Sequence, residues 1–221
     1  MTGQKTALLG GSFDPVHKGH ISAAVQIRKI LSLDRVVLVP NYRNPLKRGD
    51  SGAGAGGRLE MLRLATADIE GVEVSEVEAE RKSVSYTVDT LRVWKDSGKS
   101  GSLWFVMGKE LFSDITKWKN FREIFEIANV AVISRAGAEE NSGPPFEIRE
   151  DFRYDKSGME TVCFNHKSGS KLLFAEIDSP DISSTEIRKR IKNGEDFEGL
   201  VPPEVADFIK RNKLYTGEPA R

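Results

Sequence analysis

Cysteine is nearly absent from this chain. Its 221 residues include one, Cys163, so no disulfide can form within the chain. This scarcity predicts a reducing compartment, the cytoplasm. The residues beside Cys163 offer no group that would lower the pKa of its thiol. We therefore interpret it as a small core residue and not as a nucleophile.

Long apolar runs and an excess of one charge are also lacking. No stretch approaches the ~18 consecutive apolar residues that a membrane helix needs. Residues 1–5 carry no long apolar run either, which argues against a secretory signal. Lys plus Arg and Asp plus Glu number 33 each, so the net charge of zero gives no reason to expect non-specific binding to nucleic acid. The composition favours a globular protein without membrane or nucleic-acid partners.

Short apolar runs alternate regularly with segments of helical periodicity. Strands are predicted at 7–9, 36–39, 72–77, 103–107, 130–133 and 172–177, and helices from 21, over 58–67, 88–94 and 121–128, from 183 and from 202. Strands separated by helices indicate βαβ units. We therefore expect an α/β fold, a Rossmann-like, doubly wound and mainly parallel sheet with helices on both faces.

The length suits one large domain, and we expect residues 1–221 to form it. Residues 136–171 are polar and are predicted to be a surface excursion, with a short edge strand at 160–164. Residues 183–215 are predicted to form a small C-terminal helical part. The glycine-rich stretch 50–57 is predicted to be a flexible connection or lid edge, because it follows no strand and lacks the Lys-Ser/Thr ending of a phosphate-binding loop.

One loop between the first predicted strand and the first helix carries chemistry: GGSFDPVHKGH, from Gly10 to His20. The start of a helix that follows a parallel strand is a common anion site. We interpret His17 and His20, three residues apart, as a grip on phosphate oxygens. Alternatively, the two histidines cap the helix, hydrogen-bond to the backbone or bind zinc. Zinc is disfavoured because a helical zinc pair is usually spaced i, i+4 and because His166 is the only other histidine of the sequence. Asp14 is expected to orient the loop or cap the helix.

A second cluster lies near the other end of the chain. Ser183 with Glu186 satisfies the capping-box pattern, so a helix is predicted to begin there, and Asn193-Gly194 suits its end. Ser183, Ser184 and Arg188 offer hydroxyls and a guanidinium to a polyphosphate, although the serines alone are explained as a cap. Because loops that follow parallel strands share one sheet edge, we expect both clusters to face one phosphate chain.

Both clusters resemble motifs of a known family. The loop from Gly10 to His20 is similar to the GGTFDPxHxGH signature of adenylyltransferases in the nucleotidyltransferase superfamily, and ISSTEIR at 182–188 is similar to their ISSTxIR signature. Four further parts resemble bacterial nicotinate-nucleotide adenylyltransferases: Pro40-Asn41 with Pro45-Leu46-Lys47, SYTVDTL at 85–91, Gly108-Lys109-Glu110 with Trp118, and LVPP at 200–203 with Leu214-Tyr215. The resemblance covers nearly the whole chain except 50–57 and 136–171.

The resemblance implies adenylyl transfer from ATP to nicotinate mononucleotide, giving deamido-NAD and pyrophosphate in NAD biosynthesis. It implies Mg²⁺ bridging the ATP phosphates, without metal-ligating residues from the protein. The residues it implies are His17, His20, Lys47 and Arg188 for catalysis; Gly10, Gly11, Ser12, Phe13, Gly108, Glu110, Ser183 and Ser184 for ATP; and Tyr86, Thr87 and Trp118 for the mononucleotide. Trp118 is expected to stack on the pyridine ring, and Tyr86 and Thr87 to offer backbone amides to its carboxylate.

Two positions depart from the family pattern. Leu46 stands where a histidine is common, which leaves more of the phosphate contact to Lys47, and Glu110 stands where Asp is usual. Three alternatives stay open: a related enzyme acting on nicotinamide mononucleotide, one acting on another acceptor such as phosphopantetheine, or a non-catalytic nucleotide-binding protein on the same scaffold. A homo-oligomer is also open.

Overall fold

A computed structural model describes residues 3–42, 52–98, 101–135, 143–155 and 162–217. The strands are β1 Lys5–Gly11, β2 Arg35–Pro40, β3 Val72–Val74, β4 Ser102–Gly108, β5 Asn129–Arg135, β6 Phe152–Asp155, β7 Val162–His166 and β8 Lys171–Ile177. The helices are α1 Lys18–Ile30, α2 Gly54–Thr66, α3 Val77–Arg81, α4 Thr87–Asp96, α5 Lys109–Phe112, α6 Phe121–Ile127, α7 Ser184–Asn193 and α8 Pro203–Arg211. Three 3₁₀ turns occupy Ile115–Lys117, Phe146–Asp151 and Glu198–Leu200.

The strands form one sheet in the order β3-β2-β1-β4-β5-β8-β7-β6. Strands β1 to β5 and β8 run parallel, whereas β7 is antiparallel to β8 and β6 is antiparallel to β7. The chain order reverses between β1 and β4, the position at which doubly wound sheets open a ligand crevice beyond the ends of their strands. The predicted α/β class and mainly parallel sheet are confirmed.

The central strands β1, β2 and β4 are buried on both faces, which explains their nearly continuous apolar runs. On β1, Ala7 and Leu9 join a core cluster with Ile27, Met61 and Ile187, on the face covered by α1, α2, α7 and α8. Leu8 points the other way and joins a cluster covered by α4 and α6. Among the described residues, no helix is both long and apolar enough to cross a membrane.

Two local predictions are corrected by the structure. Val77 does not extend β3 but begins α3. In the stretch 50–57, residues 54–57 form the first turn of α2 instead of a flexible connection. The residues just before the helix are held by packing, since Ala53 packs against the core and Gly52 lies against the ring of Tyr215, and the helix continues from there despite the low helix propensity of glycine.

The polar segment 136–171 adds strands to the sheet where it is described. Ile148 and Phe152 anchor it in the core cluster under α4 and α6. The strand predicted at 160–164 is found as β7, but β6 lies outside it and forms the edge of the sheet. Cys163 on β7 is buried, and burial raises the pKa of its thiol, as expected of a core residue.

Candidate active site

The main cleft lies at the reversal point of the sheet. It has a volume of about 1500 Å³ and is lined by the β1–α1 loop, by the start of α4, by the residues after β4 and by the start of α7. Pockets for one drug-sized ligand are typically ~300–1,000 Å³, so this cleft has room for two nucleotide-sized ligands side by side. The residues predicted from both ends of the chain therefore face one space.

His17 and His20 lie together at the start of α1. Their rings stack with centroids 3.7 Å apart, and the edge of Phe13 packs against His20 at 4.9 Å. The backbone N–H of His17 donates to Nδ1 of His20 at 3.3 Å. Nδ1 of His20 is therefore an acceptor, and in the neutral ring the proton belongs to Nε2, which can donate to a ligand.

Both imidazoles are held in the neutral form. Burial, and then the charge of Arg135, lowers the pKa of His17 to about 4. Burial and the neighbouring His17 lower the pKa of His20 well below its usual value. Nδ1 of His17 is buried without a hydrogen-bond partner among the described residues. The pair is therefore a set of neutral hydrogen-bonding groups that a ligand can complete.

The N-terminal end of α7 is attached to the β1–α1 loop. Ser184 Oγ donates to the carbonyl oxygen of Pro15 at 2.9 Å, and Arg188 Nη1 donates to that of Asp14 at 2.6 Å, across 174 positions of sequence. Arg188 Nη2 also donates to Thr185 Oγ1 at 3.2 Å. A guanidinium carries five N–H groups, so others remain for a phosphate at this edge of the cleft. The structure thus brings the two predicted clusters into contact.

Ser183 is the N-cap of α7. Its Oγ accepts from the backbone N–H of Glu186 at 3.1 Å, as the capping-box pattern predicts, and Gly194 ends the helix in a left-handed conformation. Its hydroxyl, like that of Ser184, therefore bonds to the protein itself. The start of α7 presents to the cleft its positive dipole end, Arg188 and the side chains of Ser183, Ser184 and Thr185.

Asp14 and Tyr215 hold the loop from the other side. The Tyr215 hydroxyl donates to Asp14 Oδ1 at 2.6 Å, across 201 positions of sequence. Burial and the adjacent Asp14 carboxylate raise the pKa of Tyr215 far above its usual range. Arg58 is 2% exposed and its Nη1 donates to the carbonyl oxygen of Ser12 at 2.8 Å. Asp14 thus orients the loop, the first of its two expected roles.

Two glycines of the cleft, Gly11 and Gly108, allow neighbouring side chains to lie closer to the backbone than a Cβ would permit. A Cβ on Gly11 would lie 2.9 Å from the ring of Phe13, which is itself buried with a φ of 49°. A Cβ on Gly108 would lie 2.5 Å from the carboxylate of Glu110, which folds back over the start of α5 and faces the cleft. Gly10 and Ser12 line the same wall of the cleft.

The residues predicted to bind the mononucleotide, Tyr86, Thr87 and Trp118, also line the cleft. Trp118 is half-buried, its indole edge packs against Phe105 at 6.2 Å, and its Nε1 has no hydrogen-bond partner among the described residues. Tyr86 is the N-cap of α4 and Thr87 its first residue. Lys119 Nζ lies 4.6 Å from the centre of the Tyr86 ring. A flat apolar face and a helix N-terminus therefore stand together.

Two predicted positions cannot be placed, because Leu46 and Lys47 lie outside the described residues. Among the charged groups that line the cleft, Arg58, Glu78 and Arg135 were missed at the sequence level. Arg58 had a detectable signal, since it occupies the apolar stripe of α2 one turn before Met61 and Leu62. The other two carry no local pattern that distinguishes them from surface charges.

Comparison with known proteins agrees with this geometry. The sequence matches the cytidylyltransferase-like family over residues 8–190. It is 36% identical to a probable nicotinate-nucleotide adenylyltransferase of Citrifermentans bemidjiense over 214 residues, covering 96% of this chain and 98% of the relative. It is 36% identical to that of Roseiflexus castenholzii over 217 residues, covering 97% and 100%.

A solved structure shares the fold. The Plasmodium falciparum nicotinic acid mononucleotide adenylyltransferase complexed with NaAD superposes with a TM-score of 0.72 at 18% identity, over 97% of this chain and 98% of that one. The sequence relatives extend over the whole length of the sheet and the cleft. This chain belongs to the nicotinate-nucleotide adenylyltransferases, within the cytidylyltransferase-like family.

Proposed function

We propose that this protein transfers the adenylyl group of ATP to nicotinate mononucleotide and releases pyrophosphate. The observation that carries the proposal is the composition of one cleft. His17, His20 and Arg188 line its phosphate end, and Thr87 and Trp118 line its far end. A triphosphate and a flat-ringed mononucleotide placed in those two ends would meet between them.

In the proposed reaction a phosphate oxygen of the mononucleotide attacks the α-phosphorus of ATP. The new P–O bond forms as the bond to the β-phosphate breaks, and pyrophosphate leaves with the bonding electron pair. Such transfers need positioning and charge stabilisation more than covalent participation. His17 and His20 are proposed to donate hydrogen bonds to the phosphate oxygens on which negative charge increases.

The leaving pyrophosphate is assigned to the start of α7. Arg188 and the positive end of the helix dipole suit its charge, while Ser183 and Ser184 hold that helix end and the loop in place. Lys47 is proposed to contact a reacting phosphate as well. Gly10, Gly11 and Ser12 would allow the ATP phosphates a close approach to the backbone. Phe13 supports His20, and Gly108 and Glu110 are assigned to the nucleoside of ATP.

The mononucleotide is assigned to the far end. Trp118 would stack on the pyridine ring, and the amides at the start of α4, next to Tyr86 and Thr87, would receive its carboxylate. No group of three or more His, Cys, Asp or Glu residues that would suit a metal occurs among the described residues. Magnesium is therefore proposed to enter as MgATP, held by phosphate oxygens and water.

Pyrophosphate release tests the proposal. The protein is given MgATP with nicotinate mononucleotide, nicotinamide mononucleotide or phosphopantetheine, and we expect a strong preference for the first. Comparable turnover of nicotinamide mononucleotide would contradict the specificity, and no release with any acceptor would favour a non-catalytic nucleotide-binding protein. A homo-oligomer and a cytoplasmic location stay predictions.

A further inference from the structure

Glu78, on α3, belongs to none of the motifs described above, yet it is only 7% exposed. Its Oε1 accepts a hydrogen bond from Thr90 Oγ1 at 2.6 Å, and Arg81 Nη2 donates to the same Thr90 oxygen at 3.3 Å. In this series of hydrogen bonds, Arg81 donates to Thr90 and Thr90 donates to Glu78, so both donors direct positive charge toward the carboxylate. The protein thus maintains a buried carboxylate at this position.

The second oxygen of this carboxylate is free to meet a ligand. Oε2 of Glu78 is buried and has no hydrogen-bond partner among the described residues. A buried polar atom without a hydrogen-bond partner lowers the stability of the fold unless a ligand or a water molecule supplies the missing hydrogen bond. Glu78 lines the main cleft and also a recess of about 30 Å³, which Thr87 and Phe105 share. Phe105 contacts Trp118, so the recess adjoins the residues assigned to the mononucleotide, and Gly10 at the end of β1 also lines it.

We propose that Glu78 is a specificity-determining residue that favours a cationic pyridinium ring over an uncharged ring. This inference rests on the proposed function. The ring nitrogen of nicotinate mononucleotide is bonded to ribose and carries a permanent positive charge. A fixed carboxylate attracts that charge, and a neutral ring of the same shape gains nothing from it.

The charges around the ring fit such a zwitterion. The N-terminal end of α4 offers a positive group for the carboxylate of the nicotinate, and Glu78 offers the negative group for the ring. Lys119 also lines the cleft, but its Nζ donates to Asp89 Oδ2 at 2.9 Å, which balances its charge. Arg58 also lines the cleft, close enough for the charge of Glu78 to raise its pKa, against the lowering by burial. If Arg58 cancelled the carboxylate, the ring charge would make no difference to binding.

The test compares two ligands that differ in ring charge. Dissociation constants are measured by calorimetry, without ATP, for nicotinate mononucleotide and for its dihydro form, whose ring is neutral. We expect wild-type protein to prefer the cationic form. Glu78→Gln keeps the shape and should weaken binding of the cationic form by about tenfold while changing the dihydro form less than about twofold.

Two further variants serve as controls. Glu80→Gln removes the same charge from an exposed position of α3 and should change neither constant. Glu78→Asp keeps the charge and should keep the preference, even if it weakens both ligands through its shorter side chain. The quantity compared is the ratio of the two dissociation constants within one variant. A partial loss of folded protein affects both constants equally and therefore leaves this ratio unchanged.

Three outcomes would overturn the inference. They are no preference in the wild type, an equal loss for both ligands in Glu78→Gln, and tighter binding of the cationic form in that variant. The second would show that Glu78 only positions α4. None of these depends on turnover, whereas failure of pyrophosphate release would contradict the proposed function alone.

Discussion

At the scale of single residues, the site depends on neutral imidazoles. His20 accepts from the His17 backbone through Nδ1, so its remaining nitrogen is the donor that a phosphate can use. This tautomer follows from the turn that starts α1, because a histidine at the third helical position reaches back to the N-cap. The backbone thus sets which nitrogen faces the ligand.

Replacing His20 by Ala should lower kcat by roughly a hundredfold or more, because a donor to the developing phosphate charge is lost. The measurement is pyrophosphate release under saturating MgATP and nicotinate mononucleotide, with circular dichroism to verify the fold. Phe13 and the stacked His17 remain to fill the space. Near-normal turnover would reduce His20 to a structural partner of the helix start.

The buried His17 should make stability depend on pH. Its pKa of about 4 in the fold lies below the ordinary value of 6.5, so the unfolded chain binds a proton in this range that the fold does not. The free energy of unfolding therefore falls as the pH drops from above 6.5 toward 4, and this one group accounts for about 2 kcal/mol at pH 5. Urea unfolding at pH 7 and pH 5 should show a smaller drop for His17→Asn. Equal drops in variant and wild type would contradict this origin.

Tyr215 should affect stability and the KM for ATP through its hydrogen bond to Asp14. Tyr215→Phe removes the hydroxyl that donates to Asp14 Oδ1 and keeps the ring against Gly52. A lost hydrogen bond to a charged acceptor costs about 1.5–3 kcal/mol, so we expect lower stability and a KM for ATP raised several-fold. The KM for the mononucleotide should stay unchanged, and a parallel rise in both would argue against a local effect on the loop.

At the scale of elements, both ends of α7 contribute to stability, but only its N-terminal end lines the cleft. Ser183→Ala removes the N-cap and should cost about 1 kcal/mol of unfolding free energy. Gly194→Ala at the other end forces a left-handed conformation on a residue with a side chain and should cost about 1–2 kcal/mol. Only the first should raise the KM for ATP, because only that end faces the cleft. Equal effects on this KM would show that α7 acts through stability alone.

The elements also show what the sequence could predict. The strands β1, β4 and β8 could be predicted because their mostly buried residues form apolar runs in the sequence. The N-cap at Ser183 could be predicted because the capping-box pattern spans only four residues. The first turn of α2 could not be predicted, because glycine has a low helix propensity and the contacts of Gly52 and Ala53 just before the helix come from distant residues. Arg58 left a local signal, a charge within the apolar stripe of α2, whereas Glu78 became visible only through its partner Thr90 on α4.

At the scale of the whole molecule, ligands should stabilise both faces of the sheet together. The cleft is built from loops at the ends of β1, β2, β4 and β5 and from the starts of α4 and α7, so a bound nucleotide contacts elements of each core cluster. An ATP analogue at a hundred times its dissociation constant should raise the free energy of unfolding by about 2.7 kcal/mol. A single unfolding transition shifted as one measures this, and two transitions, of which one shifts, would contradict it.

The bond between Asp14 and Tyr215 has a consequence for synthesis. The β1–α1 loop is made first, and its partner Tyr215 leaves the ribosome 201 residues after Asp14. A chain that stops before Tyr215 lacks the hydroxyl that donates to Asp14. Truncated products in a preparation are therefore expected to bind ATP more weakly than chains that contain Tyr215.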